Sequence, residues 1–437
     1  MKLLRQTGIA FIILSFGRLL SYMLQALLAR ITSNVEYGKY TFAMSIISIL
    51  VVFASVGFTN SILRYLPEYL LNGSYSLLKG FYILSFKVTI YGGLLFGTMV
   101  YTVLLLAPHG LYWYTALLFS LSLPMLALMQ YYSEIFRAFG QIVYSVLSEQ
   151  ILRPFGIIFF VLLFYEISKK SNLVTISSSL LLACVISLLV FIVPLKSVKQ
   201  KFLYSKPSFK VKEWMGVSSS MIFFNGFQTL LSQSDMVIVG IIINPSMTGY
   251  YSVGVRIASL ANFGLVAVNQ VFASGITKMY LSRDKIKFQR ELSRASIFTI
   301  LITFFMGGAL YSWSGFILSI FGHNFLRAYE ALHILIIGQV INAAAGPVGY
   351  ILNLTGYQRD AVRIFGISTF LNIVGCIAAA DYTKNISIVA LVNVLVTVIW
   401  NVWAHYLVVK RIGVWPSVVG VLMLPFCKLK GTDHMST

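Results

Sequence analysis

The sequence predicts an all-α integral membrane protein of about twelve transmembrane helices, arranged as two six-helix bundles with both termini in the cytoplasm. Three observations predict it. Of 437 residues, 58% are apolar and only 11% are charged, whereas a soluble protein carries roughly a quarter of its residues as charges. The apolar residues fall in long continuous runs, each about the 20 residues a helix needs to cross a bilayer. The net charge of +20 is concentrated in alternate gaps between those runs, as the positive-inside rule requires of cytoplasmic loops.

Twelve runs qualify: 7–29, 38–62, 80–106, 111–136, 142–165, 173–195, 214–243, 249–277, 295–321, 331–355, 362–381 and 386–409. They are helices rather than barrel strands, because they are continuously apolar and too long for strands, and lipid demands that each backbone group be paired within its own segment. The first run is too long for the core of a signal peptide and no small-residue cleavage site follows it, so it reads as a true span. After the twelfth run, "IGVWPSVVGVLMLPF" at 412–426 is short and carries Pro416 and Pro425, which suits an interfacial segment. The tail "GTDHMST" is polar and expected to be disordered. Domain boundaries follow: an amino-terminal bundle at 1–200, a carboxy-terminal bundle at 201–411, and the interfacial segment and tail at 412–437.

The basic residues set the orientation. With the amino terminus inside, twenty-three lysines and arginines fall on the cytoplasmic side, including six lysines between Lys196 and Lys212 and six basic residues between Lys278 and Arg294. Six fall outside: Arg30, Lys39, Lys169, Lys170, Arg327 and Lys384. This asymmetry explains most of the positive charge without a nucleic-acid partner. The large basic loop at 196–213 divides the spans six and six. A short echo supports two related halves: "YGKYTFA" from Tyr37 enters span two, and "TGYYSVG" from Thr248 enters span eight. Halves of six spans are a common transporter plan.

Three single cysteines, Cys184, Cys376 and Cys427, form neither a disulfide framework nor a metal-ligand spacing. No "GxxxxGK[ST]" phosphate loop is present, which argues against ATP drive within the chain.

Four cations remain inside the spans: Arg18, Lys87, Arg153 and Arg256. A central arginine costs about 2.5–3.5 kcal/mol on insertion scales, so each needs an offset. Arg18 lies roughly 16 Å from either end of its run, beyond the reach of a snorkelling side chain. Ser15, Arg18, Tyr22 and Gln25 follow helical steps of three and four, which places them on one inward, wet stripe. Arg153 is also central. It follows Glu149 by four residues, so the two readings are a substrate contact and a self-neutralising pair on one helix. Lys87 sits near enough to the cytoplasmic edge that snorkelling rivals a cavity role. Arg256 and Asp235 fall at matching depth on the hairpin of spans seven and eight. They make either a structural ion pair or a titratable, cation-binding site that drives a conformational cycle; Asp235 and Glu149 are the coupling or gating candidates.

Polar stripes add to this. Asn225, Gln228, Ser232 and Asp235 line span seven, Asn262 and Asn269 mark span eight, Gln339 and Asn342 span ten, and Asn393, Thr397, Asn401 and His405 span twelve. Each alone is compatible with helix–helix hydrogen bonding. Together they suggest a central aqueous cavity, with Tyr22, Gln25, Asn225, Gln228, Asn262, Asn269, Gln339 and Asn342 as its wall. Pro124, Pro154 and Pro347 are expected to bend or break the helices around it, and the small-residue run Gly93–Gly97 to mark close helix packing. A cavity with four cations suits an anion, and guanidinium pairs bidentately with phosphate.

The chain resembles the polysaccharide-transporter branch of the multidrug/oligosaccharidyl-lipid/polysaccharide exporter (MOP) superfamily, the Wzx-type O-antigen flippases. The residues that carry this are "FGRLLSYMLQ" from Phe16, "YGKY" from Tyr37, Gly57, Arg64 before "LPEY", and "YYSEIFRAFGQ" at 131–141. The resemblance implies a MATE-like fold, two bundles opening alternately to each side of the inner membrane, and no enzymatic activity. It implies a substrate of undecaprenyl-pyrophosphate bearing an oligosaccharide repeat unit, moved from the cytoplasmic to the periplasmic leaflet. A polysaccharide polymerase and chain-length proteins would then be partners. Arg18 and Arg256 match arginines that related lipid-precursor flippases use; Arg153 and Lys87 rest on the reading above. No cofactor is expected beyond coupling to H+, Na+ or the membrane potential. The competing classes are an exporter of a drug or another lipid-linked precursor in the same fold, and a membrane polymerase or acyltransferase. The last would need a large external loop or a histidine constellation, and His333 and His405 stand near span ends without one.

Overall fold

The computed structural model describes residues 2–108, 110–169, 171–200, 202, 204–262, 265, 276, 280, 284–417 and 420. Every regular element among them is helical. In chain order these are α1 (Lys2–Ile31), α2 (Asn34–Ala54), α3 (Phe58–Leu71), α4 (Tyr75–Leu106), α5 (Trp113–Ala138), α6 (Ile142–Ser168), α7 (Leu173–Leu189) and α8 (Ile192–Gln200). There follow α9 (Val211–Ile242), α10 (Pro245–Ala261), α11 (Lys285–Ser312), α12 (Ser314–Phe321), α13 (Tyr329–Ala345), α14 (Val348–Leu354), α15 (Gln358–Thr383) and α16 (Ile386–Ile412). Eight helical segments among the described residues are long and apolar enough to cross a membrane, and α7 is a shorter apolar helix. Asn269, most of the eighth expected span beyond Asn262, Cys427 and the tail from residue 421 lie outside the described residues.

The chain separates into two compact units, Met1–Gln233 with Asn244–Gly249, and Ser234–Ile243 with Tyr250–Thr437. The division falls inside α9, between Gln233 and Ser234.

In the first unit, glycines set how closely helices approach, as they do where lipid supplies no hydrophobic drive between them. A Cβ on Gly93 would stand 2.9 Å from the Pro124 Cα, and one on Gly97 3.0 Å from the Ser120 carbonyl oxygen. Pro124 therefore does not break α5; it forms the flat surface on which α4 lies. A Cβ on Gly17 of α1 would stand 2.5 Å from the Gln150 carbonyl oxygen of α6. The echoed motifs meet directly: Gly38 packs on the Pro245 carbonyl, and a Cβ on Gly249 would stand 3.1 Å from the Tyr37 ring. The start of α9 is stitched into the same unit. Trp214 is fully buried, its indole N–H donates to the Tyr69 hydroxyl at 2.7 Å, and Phe81 meets its ring edge-on at 5.3 Å. Ser208 N–H donates to the Ser76 carbonyl at 2.9 Å.

Two interruptions shape this unit. The span expected to run unbroken over 38–62 is divided at Ser55–Gly57, where Val56 (φ +48) and Gly57 (φ +76) adopt left-handed backbone. Gly57 lies against the Ser218 carbonyl, so a residue with a Cβ meets both a conformational and a steric penalty there. Hydropathy alone does not reveal such a corner. The second is a π turn over Ser148–Leu152, in which the Arg153 N–H reaches the Ser148 carbonyl. Pro154 explains it. A proline in a straight α-helix presses on the carbonyl four residues back, here Gln150, and the extra residue of a π turn relieves that clash.

In the second unit, α13 ends at Ala345 and α14 starts at Val348, with Gly346 at φ +80 between them, so Pro347 does break its span. Of the segment expected at the membrane interface, 413–417 returns onto α11. Gln289 accepts from the Trp415 N–H at 2.7 Å and donates to the Trp415 carbonyl at 3.0 Å, and Ser296 donates to the Pro416 carbonyl at 2.7 Å.

Candidate functional site

The first unit contains a cavity of about 300 Å³, within the range of small-molecule sites. Four structural features build its wall. The corner between α2 and α3 supplies Val52, Thr59 and Asn60. Gln130 and Glu134, four apart, share one face of α5. Asn225, Gln228 and Thr229 share one face of α9. The fourth is the π turn of α6, which contributes Glu149. Gly226 lets the Phe53 ring approach within 2.8 Å of where a Cβ would sit, which holds the α2 corner against the polar face of α9.

The chemistry of this wall is distinctive. Val52 is its one apolar side chain. Asn60, Gln130, Asn225, Gln228 and Glu149 make no side-chain hydrogen bond or ion pair with the described residues. Glu134 is half satisfied: Arg137 pairs with Oε1 at 3.0 Å, while Oε2 is buried without a partner. An unmade hydrogen bond on a buried polar group costs about 1–3 kcal/mol. The Glu134 Oε2 is such a group; Asn60, Gln130, Asn225 and Glu149 are half-buried and Gln228 is exposed, and together they present hydrogen-bonding groups to one space, which suits a polar occupant.

The structure separates the expected site residues into groups. Asn225, Gln228 and Glu149 converge on this cavity. Glu149 does so because it is not paired with Arg153; among the described residues no such ion pair forms. Glu149 lies within the π turn and Arg153 immediately follows it. Arg18 is half-buried, and the contact of Gly17 with Gln150 brings the turn of α1 bearing Arg18 to within about one helical turn of Arg153. Lys87 is exposed. None of the four cations lines the cavity. Gln25 is buried in a chain in which it accepts from the Tyr37 hydroxyl at 3.2 Å and donates to the Tyr40 hydroxyl at 3.4 Å; Tyr22 is half-buried nearby on α1.

The remaining candidates belong to the second unit. Asp235 is 2% exposed. One carboxylate oxygen accepts from the Tyr251 hydroxyl at 2.7 Å and from the Asn393 amide at 3.2 Å, and the other from the Met236 N–H at 2.9 Å. The expected pair with Arg256 is thus replaced by neutral donors around Asp235; Arg256 itself is half-buried. Ser234 beside Asp235 accepts from Asn372 at 3.2 Å. Asn342 accepts from Asn401 at 3.0 Å, a helix–helix bond between α13 and α16. Gln339 and Asn262 are half-buried.

Sequence reasoning missed Asn60, Gln130 and Glu134 as wall residues. The signal for the last two was present, an amide and an acid four apart inside an expected span. Asn60 becomes a wall residue only through the break at Gly57.

Residues 3–273, more than half of the chain, match the family described as polysaccharide biosynthesis protein. The chain belongs to this family. Residues 220–378 also match the MatE family. A comparison with curated proteins finds no match. Solved structures show the same fold. An inward-facing multidrug resistance MATE family transporter of the MOP superfamily is similar at TM-score 0.73, with 13% identity over 92% of this chain and 98% of its own. Its outward-facing form aligns at 0.65, with 13% identity over 92% and 95%. The Vibrio cholerae MATE transporter VcmN in the bent form aligns at 0.62, with 13% identity over 94% and 97%. This member of the polysaccharide biosynthesis protein family is a multi-pass membrane protein with the fold of the MATE transporters.

Proposed function

We propose that the protein is a flippase for undecaprenyl-pyrophosphate-linked oligosaccharide repeat units of a surface polysaccharide. It acts in the inner membrane and moves them from the cytoplasmic to the periplasmic leaflet by alternating access. The observation that carries this reading is the cavity lined by four amides and two carboxylates, of which only one oxygen of Glu134 is paired. Amide and carboxylate side chains are the hydrogen-bonding complement of sugar hydroxyls, and a hydrophilic head group is the part of a lipid-linked sugar that cannot cross lipid unaided. The pyrophosphate is assigned to Arg18 and Arg153, whose turns are brought together by the Gly17–Gln150 contact, with Arg256 and Lys87 as further cations along its route. The polyprenyl tail stays in the bilayer. Outward movement of negative charge is favoured by an inside-negative potential by about 2.3 kcal/mol per charge per 100 mV. Coupling to H+ or Na+ is assigned to Asp235, a buried carboxylate surrounded by neutral donors.

A second reading has one observation in its favour: Glu134 and Glu149 would also suit a cationic drug. The wall opposes it, since no aromatic side chain is among its lining residues and its amides would lose water without gaining a partner from an apolar solute. The test is complementation of a strain lacking its own repeat-unit flippase, with surface polysaccharide and protein level both measured. Restoration of surface polysaccharide by the wild-type chain and its loss in an Asn225→Ala, Gln228→Ala double variant support the flippase. Drug resistance without surface polysaccharide supports the exporter.

A further inference from the structure

The cavity in the first unit is asymmetric in charge as well as rich in hydrogen-bonding groups. Two carboxylates line it and no lysine or arginine does. Arg137 answers one oxygen of Glu134 from outside the wall, at 3.0 Å and with 44% of its own side chain exposed. Nothing among the described residues answers Glu149. Carboxylate charge therefore faces whatever enters.

Volume narrows the occupant. About 300 Å³ lies at the lower end of the range of small-molecule sites. That is far more than one bare cation with its inner ligands needs, and it is the scale of sugar rings. The four amides offer both donors and acceptors, which uncharged hydroxyls match in any orientation. The carboxylates accept only. A ring that brings hydroxyls or an ammonium group satisfies them, whereas a ring that brings its own carboxylate sets like charges side by side in a region of reduced dielectric.

We propose that this cavity selects the saccharide by charge: it takes neutral or amine-bearing rings and rejects acidic ones, with Glu149 as the main discriminator and Glu134 as its partner. The inference rests on the reading that the cavity seats the sugar of a lipid-linked substrate. It assigns the repeat units carried by this protein to those whose carrier-proximal rings lack uronic or other acidic groups.

The test uses the purified full chain in lipid nanodiscs and four probes: short-chain polyprenyl pyrophosphates bearing a neutral disaccharide, a glucosamine-containing disaccharide, a glucuronic acid-containing disaccharide, or no sugar. The neutral and amine-bearing probes are expected to bind about tenfold more tightly than the acidic one. Glu149→Gln is expected to bring the acidic probe to within about threefold of the neutral one. Glu149 has no partner to lose, so this variant should fold; Gln228→Glu, on an exposed side chain, tests the same idea by addition and should widen the gap. Free neutral disaccharide is a fifth arm; binding as tight as that of the lipid-linked form would place recognition in the sugar alone and overturn the lipid-linked part of the inference. Equal binding of acidic and neutral probes to the wild type overturns the charge selection and leaves the flippase reading standing. Equal binding of the sugar-free probe and every glycosylated probe, unchanged by either variant, removes the sugar from the cavity and overturns the reading beneath it.

Discussion

Gly38 of α2 lies directly on the backbone carbonyl of Pro245 at the start of α10, with no room for a Cβ between them. Gly38 belongs to the first echoed segment and Pro245 lies three residues before the second, which starts at Thr248, and both fall in the same compact unit. Gly38→Ala forces the two backbones apart. Overpacking of this kind costs about 1–3 kcal/mol, expected as a lowered unfolding midpoint of the purified protein. Gly308→Ala, where a Cβ meets nothing within 4 Å, is the control and should leave the midpoint in place.

The π turn at Ser148–Leu152 is traced above to Pro154, which makes Pro154→Ala informative. Alanine restores the missing N–H and removes the ring, so α6 can return to α-helical spacing. The side chains before the turn then rotate by about 100° relative to those after it, which takes Glu149 off the cavity wall. The variant should be at least as stable as the parent but should bind a neutral polyprenyl-pyrophosphate disaccharide severalfold more weakly. Undiminished binding would show that Glu149 is dispensable to the wall.

Each wall amide is expected to contribute through hydrogen bonds to an uncharged ligand, about 0.5–1.5 kcal/mol apiece. Asn225→Ala should therefore weaken probe binding about two- to tenfold while the unfolding midpoint stays within experimental scatter, because Asn225 bonds to no other described residue. A fall in stability with unchanged binding would make Asn225 structural.

Arg18→Ala should abolish complementation at normal protein level, and Arg18→Lys should restore part of it, since a lysine keeps the charge and loses the bidentate geometry. Normal surface polysaccharide in the alanine variant would remove Arg18 from the mechanism.

Asp235→Asn keeps the shape of the side chain and removes a buried charge. Tyr251 and Asn393 still have an oxygen to donate to, so the fold should hold. Transport should lose its dependence on Na+ or on a pH gradient. Retention of that dependence would place coupling elsewhere.

The membrane class, the helical content and the position of most spans follow from hydropathy, because lipid leaves a chain no other way to satisfy its backbone. The family was also legible, in "FGRLLSYMLQ" and in "YYSEIFRAFGQ". Even the disturbance at Pro154 was foreseeable from the missing N–H. The positions of the four cations gave no comparable guide to the cavity: they told where charge would be costly and not which groups would share a space.

That sharing was decided by tertiary structure. The left-handed corner at Val56–Gly57 turned Asn60 toward Gln130, and the stitching of Trp214 to Tyr69 placed Asn225 and Gln228 in the first unit, while Asp235, on the same polar stripe, went to the second. The π turn in α6 placed Glu149 on the cavity wall. Hydropathy averages over a helical turn and is blind to such interruptions. Which face a polar residue presents depends on backbone contacts made by residues far away in the chain, and these the sequence by itself does not order.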